Sequence, residues 1–147
     1  MLVTGNKILD LIPQKPPMVM VDTFFSCIES KAVTGLMVTK ENVFVRNDLF
    51  TESGLMENMA QSAALMTGWL ETNNGSTEPV NSIGFIGAIK DFRLNFLPVA
   101  GSVLRTDIDV LHRIGNALVI HGKVSTDGKI AAECELKIFS SSENQNS

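Results

Sequence analysis

The amino-acid sequence predicts an α+β domain in which one antiparallel sheet wraps around a single long helix. Three observations predict it. The stretch Gly54–Glu71 has no proline and no β-branched run, and it is rich in Ala, Leu and Met, all good helix formers. Two later stretches alternate strictly. Leu104, Thr106, Ile108 and Val110 interleave with Arg105, Asp107 and Asp109, and Ile130, Ala132, Cys134, Leu136 and Ile138 interleave with Ala131, Glu133, Glu135 and Lys137. A period of two means a strand with one face buried and one wet. Finally, Gly115-Asn116 and Asp127-Gly128 fall where tight hairpin turns are needed.

Taken in order, Ile8, Leu9, Leu11 and Ile12 have helix-like spacing behind Asn6, a candidate cap. Pro13, Pro16 and Pro17 then end that helix and force extended backbone. Met18 to Val38 is apolar and β-branched with a break near Glu29–Lys31, which predicts two adjacent strands or one bent hairpin. Ser53 is placed to cap the long helix. Between Glu57 and Glu71 that helix has no charge, so it is expected to be buried on nearly every face. A flat sheet covers only one face of such a helix. The sheet must therefore curl, and a second copy of the domain is the simplest closure for what remains. Asn73 to Pro79 is expected to be a polar loop, and Pro98 to Gly101 a turn. The domain is read as residues 1–139, with 140–147 as a disordered polar tail.

Composition narrows the function. The 147 residues contain 44% hydrophobic and 19% charged side chains, ordinary for one soluble domain. A net charge of −4 with no basic stripe argues against nucleic acid or an acidic membrane surface as a partner. The two cysteines, Cys27 and Cys134, sit in apolar stretches without metal-ligand spacing and are expected to be buried thiols. The beginning of the chain lacks the pattern of a signal peptide, and no apolar run reaches the roughly 18 residues of a membrane span, so a cytoplasmic location is expected.

The most informative local feature is a small polar patch on the apolar helix. Glu57 and Gln61 are four residues apart and share one face, with Asn58 beside them. A glutamate in a first turn is also common simply because it favours the helix dipole. In an otherwise buried helix, however, an unpaired carboxylate costs several kcal/mol, which points to a role. Gln61 is placed to satisfy or orient Glu57.

Three stretches resemble the 3-hydroxyacyl-[acyl-carrier-protein] dehydratases. They are ILDLIPQKPPMVMVD (Ile8–Asp22), LMENMAQSAAL (Leu55–Leu65) and FIGAIKDFRLNFLPVAG (Phe85–Gly101). The resemblance implies a hot-dog fold and a dimer-based assembly, either a homodimer or a heterodimer with a related subunit. It implies no cofactor. The substrate would be carried on the phosphopantetheine of acyl carrier protein or on CoA, as in fatty-acid or polyketide-type biosynthesis. It also implies catalytic groups from opposite subunits: a histidine removes the C2 proton, and the helix carboxylate, here Glu57, helps the C3 hydroxyl leave. Gly87, after Phe85, matches a glycine whose backbone N–H faces the thioester carbonyl, although close packing would also call for glycine there. Phe85, Gly87, Asn58 and Met18 are thus expected substrate contacts. Met18, Met20, Met56, Met59 and Met66 would line an adaptable acyl tunnel or fill the core.

The chain departs from that family in two places. At the histidine position stands Gln14, whose amide can hydrogen-bond but cannot act as a general base near neutral pH. The family's Gly-His-Phe-Pro-Gly segment ahead of the helix is replaced by the shorter Val45–Ser53. His112 and His121 lie on later strands, far along the chain from the motif. Three functions therefore stay open: a dehydratase completed by a histidine-bearing partner, a thioesterase using Glu57, and a non-catalytic acyl-thioester-binding subunit. Lys7, Lys15, Arg46, Lys90 and Arg93 are the basic residues available to an acidic carrier protein.

Overall fold

The computed structural model describes residues 1–73 and 83–141. Strand β1 (Val3–Thr4) leads into a short 3-10 helix (Gly5–Asp10). Then follow β2 (Thr23–Ile28), β3 (Lys31–Met37) and a small hairpin of β4 (Val45–Arg46) and β5 (Leu49–Phe50). Helix α1 (Glu52–Asn73) comes next, ahead of β6 (Ile83–Leu94), β7 (Val103–Ile114), β8 (Ala117–Thr126) and β9 (Lys129–Ser141). Seven strands form one antiparallel sheet in the order β1-β2-β3-β7-β8-β9-β6, wrapped around α1. This is the hot-dog architecture.

The inward residues of β2, β3, β7, β8 and β9, among them Phe24, Leu36, Leu104, Ile108, Ile120 and Leu136, enclose Leu55, Met59, Leu65 and Met66 of the helix. Two glycines let the helix approach closely. A Cβ on Gly68 would run into the carbonyl of Leu11, and one on Gly122 of β8 would meet the sulfur of Met59.

Several local expectations are corrected. The first helix is a six-residue 3-10 turn that Asn6 lies inside, and Thr4 precedes it without a side-chain cap. Met18–Asp22 is not a strand, for a reason given below. Ser53 is exposed inside the first turn of α1 and does not cap it, because the helix starts at Glu52. Thr51, the residue before, spends its hydroxyl on the carbonyl of Phe44. In β9 the register slips between Val124 and Ser125 of its neighbour, so Ala131 is buried and Ile130 turns outward. Strand β9 also runs to Ser141, past the expected domain end. The expected polar loop and polar tail fall mostly in residues 74–82 and 142–147, which lie outside the described residues, and Asn73 itself ends α1.

The helix is not buried on all sides. Met56, Glu57, Ala60, Ala64 and Thr67 form a half-buried stripe along one face. Among the described residues, no helix is long and apolar enough to cross a membrane.

Candidate active site

Glu57 lies in the second turn of α1, on the open stripe. One of its oxygens, Oε2, accepts a hydrogen bond from Gln61 Nε2 at 2.8 Å. The same Nε2 donates to the carbonyl of Met18 at 2.8 Å, and Gln61 Oε1 accepts from the backbone N–H of Met20 at 2.6 Å. Every hydrogen-bonding direction of this amide is thereby fixed. Reversing it would set its oxygen against two acceptors. Gln61 is fully enclosed, so the pairing with Glu57 is held by a side chain that has no other place to go.

Asn58 points away from Glu57, into the sheet. Its Nδ2 donates to the carbonyl of Met20 at 2.8 Å, and its Oδ1 accepts from the hydroxyl of Thr106 on β7 at 2.5 Å. Asn58 has no exposed surface. Expected to touch substrate, it is enclosed, with its amide nitrogen and oxygen each bonded within the protein. The two amides take the carbonyl of Met18 and both backbone polar groups of Met20, which a neighbouring strand would otherwise have satisfied, so no strand forms until after Asp22, whose N–H already donates to the carbonyl of Gly35. Thr34 of β3 and Ser62 share a further buried bond at 2.7 Å. Thr106, Thr34 and Ser62 were not anticipated. The one signal available was a threonine at an inward position among Leu104, Ile108 and Val110.

Gln14 is half-buried in the loop before Met18, and its Oε1 is enclosed without a hydrogen-bond partner among the described residues. Met18 is exposed beside Glu57's clamp, whereas Met20, Met59 and Met66 belong to the core and line no open surface. Gly87 is the extra residue of a bulge in β6, between the pairs Ile86↔Ile138 and Ala88↔Lys137. A Cβ there would collide with the ring of Phe139, so this glycine is required by packing against β9, not against the helix. Phe85 precedes the bulge and pairs in register with Phe139.

Both histidines lie on the face of the sheet turned away from the helix. Gly122 faces the helix, so its neighbour His121 points to the outer face of the sheet, where its Nε2 lies 3.1 Å from Glu133 Oε1. His112 is exposed and pairs with Val119, on the same outer face. Lys90 and Arg93 also lie outside, opposite Glu135 and Glu133. Lys7, Lys15 and Arg46 are exposed elsewhere. Of the two thiols, burial and the nearby Glu135 push that of Cys134 up to about 11, and burial raises that of Cys27.

The profile of the ApeP-like family, described as ApeP dehydratase, matches residues 6–147. The chain belongs to this family. It is similar to the 3-hydroxyacyl-[acyl-carrier-protein] dehydratase FabZ of Clostridium botulinum (strain Hall), with 29% identity over 131 residues, 89% of this chain and 91% of that one. The fold is shared with the dehydratase heterocomplex ApeI:P from Xenorhabdus doucetiae at a TM-score of 0.86. That match has 16% identity and covers 99% of this chain and 96% of the other. It is also shared, at a TM-score of 0.60 and 16% identity, with the PaaI protein of the E. coli phenylacetic acid degradation operon, over 80% of this chain and 81% of that one. The chain is thus a dehydratase-like hot-dog protein of the ApeP-like family, and its likeness to FabZ spans the Glu57 helix.

Proposed function

We propose that this chain is one half of a 3-hydroxyacyl-thioester dehydratase, with Glu57 as its acid–base carboxylate and the histidine supplied by a related subunit. The observation that carries this is the separation of the two functions. Glu57 is oriented by Gln61 on the open side of the helix, while both histidines of the chain stand on the far side of the sheet; Gln14 stands where the resemblance to the dehydratases implies a histidine. In the reaction the partner's histidine takes the C2 proton, the C2–C3 double bond forms, and the C3–O bond breaks. The hydroxyl leaves as water with the proton of Glu57, and the proton on the histidine returns to the carboxylate through solvent.

Two features support pairing. Strand β6 is one edge of the sheet, with Ile89 and Leu94 exposed along it. A long edge strand with unpaired backbone groups is normally paired or covered. A heterocomplex is also the form in which the ApeI:P dehydratase is described. The substrate class is a 3-hydroxyacyl group on acyl carrier protein or CoA, for which Lys7, Lys15 and Arg46 are exposed basic residues.

The test is incubation with 3-hydroxyacyl-carrier protein, read by mass. The chain alone leaves the substrate unchanged. Adding a histidine-bearing related subunit produces the enoyl thioester, and Glu57→Gln abolishes it. Dehydration by the isolated chain overturns the partner requirement. Release of free thiol, lost in Glu57→Gln, would establish a thioesterase instead, and binding without any turnover an acyl-thioester-binding subunit.

A further inference from the structure

Met20 belongs to no strand, yet it is 1% exposed and both of its backbone polar groups are engaged by side chains of one helix. Its carbonyl is held by Asn58 and its N–H by Gln61. Behind Asn58 stands Thr106, and beyond Gln61 stands Glu57. The bonds form one chain: Thr106 hydroxyl to Asn58 Oδ1, Asn58 Nδ2 to Met20 carbonyl, Met20 N–H to Gln61 Oε1, Gln61 Nε2 to Glu57 Oε2. No link in it is longer than 2.8 Å, and all but the last are fully buried.

We propose that Asn58, backed by Thr106, is a positioning residue that sets the direction of the Glu57 carboxylate through Met20 and Gln61. This rests on the reading of Glu57 as the reacting carboxylate. The physical basis is that Gln61 can present an N–H to Glu57 only while its oxygen is occupied by Met20, and Met20 is fixed at its other end by Asn58. Without the Thr106 hydroxyl, Asn58 Oδ1 is an enclosed acceptor with no donor. The amide then has reason to turn and release the carbonyl of Met20. The peptide at Met20 gains freedom, and Gln61 with it. The anchor of the site thus lies on the central strand β7, which is fixed on both sides by β3 and β8.

A buried threonine with a purely structural role would change stability alone, so the test reads the Gln61 amide itself. In the isolated chain, the side-chain NH2 resonances of Gln61 are identified by their loss in Gln61→Leu, and Glu57→Gln shifts them because the carboxylate is their partner. Thr106→Val is expected to move these resonances, and Thr106→Ser, which keeps the hydroxyl, to leave them in place. Thr106→Ala replaces the valine variant if that does not fold. In the complex with the histidine-bearing subunit, Thr106→Val should lower kcat on the order of tenfold with KM within about twofold, as expected for lost orientation rather than lost binding. Thr106→Ser should restore kcat. The proposal is overturned if the valine variant keeps the wild-type Gln61 resonances, or if serine shifts them as much as valine does. If Glu57→Gln retains full dehydration, the functional reading fails instead, and the spectra still decide whether the clamp exists.

Discussion

Replacing Gln61 by leucine removes three hydrogen bonds while keeping the volume of the side chain nearly constant. The N–H of Met20 is fully enclosed and would be left without an acceptor, a loss of about 1–3 kcal/mol. The carbonyl of Met18 belongs to an exposed residue and regains water, as does Glu57 on the open face, so these two add little. Leucine offsets part of the loss by burying more apolar surface, roughly 1 kcal/mol. The net expectation is a destabilisation of about 1–2 kcal/mol, or some 3–8 °C in melting temperature for a domain of this size. Gln61→Glu is the sharper comparison. An ionised carboxylate there would face Glu57 and a carbonyl oxygen in an enclosed site, and should lose about 3–5 kcal/mol near neutral pH. Part of that should return in acid, where a protonated glutamate can donate to one of the two acceptors. Urea unfolding can be followed by Trp69, the only tryptophan, which packs edge-to-face on Phe24 with ring centroids 5.6 Å apart. Two results would refute the reasoning: a leucine variant within about 0.5 kcal/mol of wild type, or a glutamate variant no worse than leucine at pH 7.5.

Gly68→Ala places a methyl group against the carbonyl of Leu11, on backbone that cannot yield like a flexible side chain, and should cost about 1–3 kcal/mol in the same urea assay. Gly115→Ala meets no atom and is disfavoured only by its φ of 60°, so it should cost about 1 kcal/mol. Cys134 gives a pH-dependent test. Its folded-state thiol is raised to about 11 from 9.0, so its contribution is whole below pH 9 and is lost as pH rises toward 11, by roughly 2–3 kcal/mol in total. Urea midpoints measured from pH 8 to 10.5 should fall, and should fall less steeply in Cys134→Ala.

The sequence made the central helix legible because Ala, Leu and Met are unambiguous over eighteen residues, and made the strands legible where alternation was strict. It failed where tertiary bonds outweighed local pattern. Thr51 ahead of α1 holds Phe44 instead of capping, which no local rule distinguishes from a cap. Met18–Asp22 has the composition of a strand, but the carbonyl of Met18 and both polar groups of Met20 are claimed by two amides some forty residues away. The slip that buries Ala131 and exposes Ile130 needs one extra residue opposite β8, which alternation alone cannot show. Within the site, the Glu57–Gln61 pair was readable from spacing. The burial of Asn58 was not, because its partner Thr106 looks like any inward strand residue.

The outer face of the sheet bears on where a partner subunit would sit. One row across the strands reads Lys31, Asp109, His121, Glu135, Lys90, and the next reads Asp107, Lys123, Glu133, Arg93. Each charge has the opposite sign on its in-row neighbours once His121 is protonated, and Lys31–Asp109 closes to 2.9 Å. Cross-strand pairs of this kind satisfy themselves in water and leave little net field for a partner to read. The helix stripe of Met56, Ala60, Ala64 and Thr67 around Glu57, with Ile89 and Leu94 on the inward side of β6, carries no such ladder of paired charges. Covering them removes apolar surface from water at the cost of desolvating the single carboxylate of Glu57, whereas docking on the charged rows would desolvate nine side chains. The energetically favoured face for a subunit is therefore the one that holds Glu57, the face where the proposed reaction would need a partner's histidine to arrive.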